Sequence, residues 1–236
     1  MSSYIKHLQE LSTSKTFARK KDYIDYNLRD YFKEVGFKNL KLLEMGPGLG
    51  EFASYLNDKG ITQLDLIDND KRVIDYVKKE YKVKNGFLTN NISQIDNKLG
   101  SYNFIFLMQV LEHLPIGAYA EVVRILYKHL DDGGFLVIVV PNANNPLGLV
   151  ERYGDLQHTG IFTEQSLKDL INLSGIKSFS IKIKSYEIPP FDPINIIRIT
   201  LQKILHYLLL GLLIINGGVF FKTMTPNIML IIRKDK

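Results

Sequence analysis

The chain has no cysteine in its 236 residues. That excludes a disulfide framework, a thiolate nucleophile and a cysteine zinc site, and it leaves the redox compartment open. No metal ligand set is expected elsewhere. Two common nucleotide-binding patterns are also missing. A dinucleotide fingerprint would need a glycine where Glu51 stands, and no Gly-Lys-Ser/Thr follows the glycine-rich turn to make a phosphate loop. The start, Met1 to His7, lacks an apolar core of signal-peptide length, from which a cytoplasmic location is expected. Charge is not extreme. A formal +5 and a pI near 9.1 permit an anionic partner, but a lysine-rich solvated surface is the commoner cause. Apolar residues at 45% and charged residues at 23% fit a folded chain, and the length fits one sizeable α/β domain over 1–236.

What is present centres on Leu42-Leu43-Glu44-Met45-Gly46-Pro47-Gly48-Leu49-Gly50. An apolar run feeds an acidic residue, glycines follow at alternate positions, and Glu51 to Leu56 has helical spacing. This reads as a buried parallel strand, a tight turn and a helix start. Glycine suits the steep exit from the strand, and a side chain at Gly46 or Gly48 would keep a ligand off the backbone.

The pattern acidic-x-Gly-x-Gly-x-Gly resembles the class I S-adenosylmethionine-dependent methyltransferases. That resemblance implies a Rossmann-like α/β fold: a seven-stranded, mostly parallel sheet with an antiparallel last strand and helices on both faces. It assigns Glu44, Gly46, Gly48 and Gly50 to the methionine part of the cofactor, S-adenosylmethionine. Residues 1–38, with aromatic and aliphatic positions at helical intervals from Phe17 to Val35, read as a helical cap ending at Gly36.

The second strand, Gln63 to Asp68, places Asp68 at its carboxyl end. Open α/β sheets bind ligands there, and a carboxylate can accept from both ribose hydroxyls. Asn69 follows it into the same site. Asp70 is better placed to cap the next helix. After the third strand, around Gly86 to Thr89, similar proteins often carry an aspartate on the adenine amino group. Asn91 stands here instead, with Ile92 packing on the ring.

Tyr102 to Met108 is a central buried strand. The phrase after it, Gln109-Val110-Leu111-Glu112-His113-Leu114, resembles the Val-Leu-Glu-His-Leu segment of the branch acting on small molecules, quinones, lipids and sugars. It implies Gln109 at the cofactor, with Glu112 and His113 near the acceptor. The Asp/Asn/Ser-Pro-Pro-aromatic signature of nucleic-acid amino-methyltransferases is absent, so nucleic acid is not expected as a partner. Strand Phe135 to Val140 ends in Pro141-Asn142, and a loop from Ala143 to Gly160 holds Arg152, Tyr153, Asp155 and His158. Its phrase Tyr153 to Thr163 resembles glycan and lipid methyltransferases, in which the histidine faces the acceptor. His158 is thereby the first candidate base and His113 the second; either ring could instead serve to fix its loop.

In the family the last two strands are joined by a short turn. Here residues 189–226 separate the core, 39–188, from the final strand in 227–236, and Ile204 to Phe221 contains no charge. The stretch touches the lower length limit for a membrane span. Spanning conflicts with a last strand that must rejoin the same sheet. A cationic amphipathic start followed by leucines suits a membrane interface over 194–221, with a dimer contact or core packing as the competing roles. The acceptor class implied is a glycan precursor or lipid-linked molecule, with a quinone or other small metabolite as the alternative. A non-catalytic, membrane-associated cofactor-binding scaffold stands beside both.

Overall fold

A computed structural model describes residues 13–36, 40–149, 153–218 and 221–236. Helix α1, Ser14–Val35, starts at a capping box in which Thr13 Oγ1 accepts from Thr16 N, and Gly36 closes it at φ +80°. Then come β1 (Leu42–Met45), α2 (Glu51–Asp58), β2 (Leu64–Asp68), α3 (Lys71–Glu80), β3 (Asn85–Leu88), β4 (Tyr102–Met108), α4 (Tyr119–Lys128), β5 (Leu130–Pro141), α5 (Glu164–Ser174), β6 (Phe179–Ser185), α6 (Pro193–Ile215) and β7 (Asn227–Lys234). The sheet order is β3-β2-β1-β4-β5-β7-β6. β1 to β5 pair in parallel, and β7 runs antiparallel to both β5 and β6. The expected insertion of the seventh strand between the fifth and sixth is therefore present.

Two apolar layers sandwich the sheet. On one face Phe32 of α1 packs on Phe104 and Phe52, with ring centroids 4.5 and 6.1 Å apart, and all three are buried. Each such ring contributes about 1.5–3 kcal/mol by leaving water. On the other face Leu126 of α4 and Leu167 of α5 close over Ile105, Leu136 and Ile138. Strand β5 begins five residues earlier than its apolar run suggests. Leu130 to Gly134 extend it across an irregularity opposite Tyr102 and Phe104. Gly134 sits there because a Cβ would lie 2.8 Å from Asp131 O and 2.9 Å from Asn103 O.

The topology decides where the insertion emerges. Asn227 of β7 pairs with Pro141 at the end of β5, and Ser185 at the end of β6 pairs with Ile228. Residues 186–226 thus leave and return at the carboxyl edge of the parallel strands. Both limbs are tied down. The Asn27 side chain accepts from Glu187 N and donates to Glu187 O, both at 2.9 Å. On the return limb Asn142 Nδ2 donates to Thr223 O and Thr225 O, and Glu164 Oε1 accepts from Thr223 N at 2.7 Å. Helix α6 between them is mostly exposed. Only Asn195 of its 23 residues is fully buried, with Ile199, Gln202, His206, Leu209 and Leu213 half-buried along one face, which gives the core-packing role expected as one option for this segment little support among the described residues.

Candidate active site

The glycine turn stands at the carboxyl end of β1, the central parallel strand. Gly46, Gly48 and Gly50 have φ of +74°, +54° and +82°, a region L side chains rarely adopt. Space adds a second constraint at two of them. A Cβ on Gly46 would lie 2.3 Å from Val110 Cγ2, and one on Gly50 would lie 2.6 Å from the Tyr81 ring. At Gly46 the loop after β4 thus leaves no room for a side chain, in addition to the backbone angle that the steep turn demands. Gly48 meets no described protein atom closer than 3.7 Å, and its positive φ favours glycine there.

Glu44 is buried, and its Oε2 has no hydrogen-bond partner among the described residues. Burial pushes its carboxyl well above the usual range, and the charges of Glu51 and Asp68 push in the same direction. Asp68 ends β2 half-buried. Its Oδ1 accepts from Asp70 N at 2.7 Å, and burial raises its pKa. Asp70 takes the capping role, accepting from Arg72 N at 2.9 Å. Three carboxylates around a glycine cradle disfavour a phosphate and suit a cationic ligand. The sulfonium and ammonium groups of S-adenosylmethionine meet that condition, and the orphaned Glu44 oxygen gives a buried acceptor for such a ligand. Asn69 and Asn91 are exposed at the same edge. Asn91 Oδ1 accepts from Ser93 N at 3.0 Å, capping the short 3-10 helix that starts at the buried Ile92. Gln109 has φ +54°, unusual for a residue with a side chain, and its N–H donates to Val139 O at 2.8 Å.

The side where the sequence places the acceptor is assembled across a gap of more than forty residues. Leu111 to His113 form a 3-10 turn after β4. Thr159 N donates to Glu112 O at 2.8 Å, and Thr159 Oγ1 donates to Glu112 O and Leu114 O. Gly160 permits this approach, since a Cβ there would lie 2.1 Å from the Tyr119 hydroxyl. The consequence is that the rings of His113 and His158 meet edge to face with centroids 4.7 Å apart. Burial lowers the pKa of His113, the neighbouring His158 adds to that and Asp155 opposes it, a balance that favours the neutral imidazole. Glu112 is 1% exposed, and burial pushes its carboxyl up to about 7. Arg152 lies outside the described residues, and Tyr153 is exposed.

One buried polar group at this edge was missed from sequence. Asn144, just past β5, is 4% exposed, and neither end of its amide has a partner among the described residues. The Asn-x-Asn spacing after Pro141 was its only signal.

A family model described as a methyltransferase domain matches residues 14–178. The chain belongs to the methyltransferase family. Its class uses S-adenosylmethionine, the cofactor that the resemblance implied. Solved structures share the fold. An S-adenosylmethionine-dependent methyltransferase from Archaeoglobus fulgidus is 18% identical, with 93% of this chain and 97% of that one covered at a TM-score of 0.62. The plantazolicin methyltransferase BpumL, in complex with SAH, is 16% identical with 98% of both chains covered at 0.56. Magnesium protoporphyrin IX methyltransferase from Synechocystis, with bound SAH, is 13% identical with 92% and 84% covered at 0.58. No curated protein is significantly similar in sequence. The methyltransferase thus keeps the family's sheet and carries a long apolar helix at the carboxyl edge of its parallel strands.

Proposed function

We propose that this methyltransferase transfers a methyl group from S-adenosylmethionine to a hydroxyl of a lipid-linked acceptor, a glycan precursor first among them. When bound, the cofactor supplies an electrophilic methyl on a sulfonium. Glu44 and the turn Gly46, Gly48 and Gly50 hold its methionine part, with Gln109 beside it. Asp68 and Asn69 hold the ribose, and Asn91 and Ile92 the adenine. Alignment of acceptor and methyl accounts for most of the acceleration. His158, with His113 behind it, takes the hydroxyl proton, and a neutral imidazole is the form that can accept one.

The observation that carries the acceptor class is helix α6. It is attached at both ends to the edge that bears Gly46, Asp68 and Gln109, yet its apolar window is 0% buried. Ile197, Leu201, Leu208 and Leu212 are each about 60% exposed. From Pro193 to Lys234 there is no acidic residue, while Arg198, Lys203 and Lys222 are basic. An apolar, acid-free helix beside the site suits an anionic lipid interface on the inner face of a membrane. The anchoring of both limbs to one edge supports lying in that interface over crossing it. The enzyme would then be cytoplasmic and peripheral.

The test supplies methyl-labelled S-adenosylmethionine and purified protein to an extract of the host cell. Label in the organic phase is the expected result. Label confined to small water-soluble molecules would overturn the lipid-linked class in favour of a free metabolite, and α6 would then be assigned to a dimer contact. Cofactor binding with no label in any fraction would favour the non-catalytic scaffold.

A further inference from the structure

Two histidines and a carboxylate meet at the acceptor end with an unusual imbalance. Glu112 carries both oxygens into the interior, and neither has a hydrogen-bond partner among the described residues. A buried carboxylate left this way is costly unless a cation or a donor reaches it. No lysine or arginine forms an ion pair with it among the described residues. What does stand beside it is imidazole. One ligating atom each from Glu112, His113 and His158 can be chosen so that all three lie within 4.8 Å of one another. Bonds of roughly 2.0–2.2 Å to a shared ion bring ligand atoms somewhat nearer than that, to about 3–3.5 Å. The contraction falls on two half-buried rings whose backbones are already clamped by Thr159 N on Glu112 O.

We infer that Glu112, His113 and His158 form a binding site for one divalent transition-metal ion. Two nitrogens and one carboxylate oxygen select an ion of the zinc or manganese type over magnesium or calcium, which prefer oxygen throughout. Three protein ligands leave open positions, the pattern of a catalytic site and not of a structural one. Those positions would take an oxygen of the acceptor, and an ion there makes a bound hydroxyl more acidic. That use of the ion rests on the proposed transfer to a hydroxyl: with an ion bound, the two imidazoles act as ligands and the hydroxyl proton passes to solvent water, so the proton-accepting role proposed for His158 belongs to the ion-free site. No metal was expected from the sequence, because these ligands are split between a Glu-His pair and a histidine 45 positions on.

The experiment titrates the chelator-treated full chain with Co2+, followed by its visible absorption, and then with Zn2+ in competition. One equivalent should bind, and Glu112→Gln, His113→Ala and His158→Ala should each weaken binding by about tenfold or more. His206→Ala, on the exposed helix, should change nothing. Unchanged affinity for S-adenosylhomocysteine shows that the variants are folded. Failure to bind a stoichiometric ion, or binding that survives both Glu112→Gln and His113→Ala, would overturn the site. The two readings separate cleanly. Metal binding without organic-phase methylation would sink the acceptor proposal and leave the site standing. Methylation undiminished by a chelator, in a chain that binds no Co2+, would do the reverse.

Discussion

The two halves of the carboxyl edge are built by different means. Around β1 and β2 the site is backbone: three left-handed glycines, two with no room for a Cβ, and a buried carboxylate. Around β4, β5 and β7 it is side chains on loops, tied by a few hydrogen bonds, with an exposed helix beside them. In the proposed reading the first half holds the cofactor, and an added Cβ collides at Gly46 and Gly50. The second half leaves shape to be set by loop sequence, which is where the choice of acceptor belongs.

The largest effect should come from the rigid half. Gly46→Val combines a disfavoured backbone angle with a clash against Val110 and should cost about 2–5 kcal/mol of stability, with loss of S-adenosylhomocysteine binding. Thermal melting and calorimetry measure both, and a normally stable variant would show that the turn can shift. Glu44→Gln separates binding from stability. A cationic ligand loses its buried acceptor, so affinity should fall about tenfold or more. The free protein should move the other way. The raised pKa of Glu44 means that the folded state holds its proton more tightly than the unfolded chain. Wild-type stability is therefore fully present below the unfolded value, about 4.3, and declines as pH rises through the folded value. The variant lacks that decline and should be about 1–3 kcal/mol more stable at pH 8, with the difference narrowing toward pH 4. Melting curves across pH check the sign.

The flexible half should respond in activity more than in fold. Gly160→Ala pushes a methyl into the Tyr119 hydroxyl and should move His158, lowering turnover about 10- to 100-fold with cofactor affinity unchanged. An equal loss of both would mean that the two halves are mechanically coupled. The smallest effect on stability should come from Leu208→Asp with Leu212→Asp on α6. Both residues are exposed, so melting should shift by no more than about 0.5 kcal/mol, while sedimentation with anionic vesicles should be lost. A large drop in melting temperature would show that the helix is covered by protein.

What could be read in the sequence follows the same division. The glycine turn, Asp68 and Asp70 carry short-range signals, because a backbone angle or a helix cap is written in the residue that adopts it. Sheet order was legible through the resemblance and through strand polarity. The Glu112–His158 approach was not, since Thr159 N meeting Glu112 O is a contact between separate loops. Nor was the partner of Gly46. The apolar character of α6 was plain, but hydrophobicity on every side gives no period from which to tell a packed helix from a bare one.

The place of β7 between β5 and β6 has a further consequence, for the order of events during synthesis. Helix α6 precedes β7 in the chain, so it emerges from the ribosome while the sheet is still missing an interior strand. Until Asn227–Lys234 arrive, β5 and β6 both present unpaired edges, and the apolar helix is already free on the tether between them. A lipid surface or a chaperone that meets the nascent chain encounters the helix before the fold is closed.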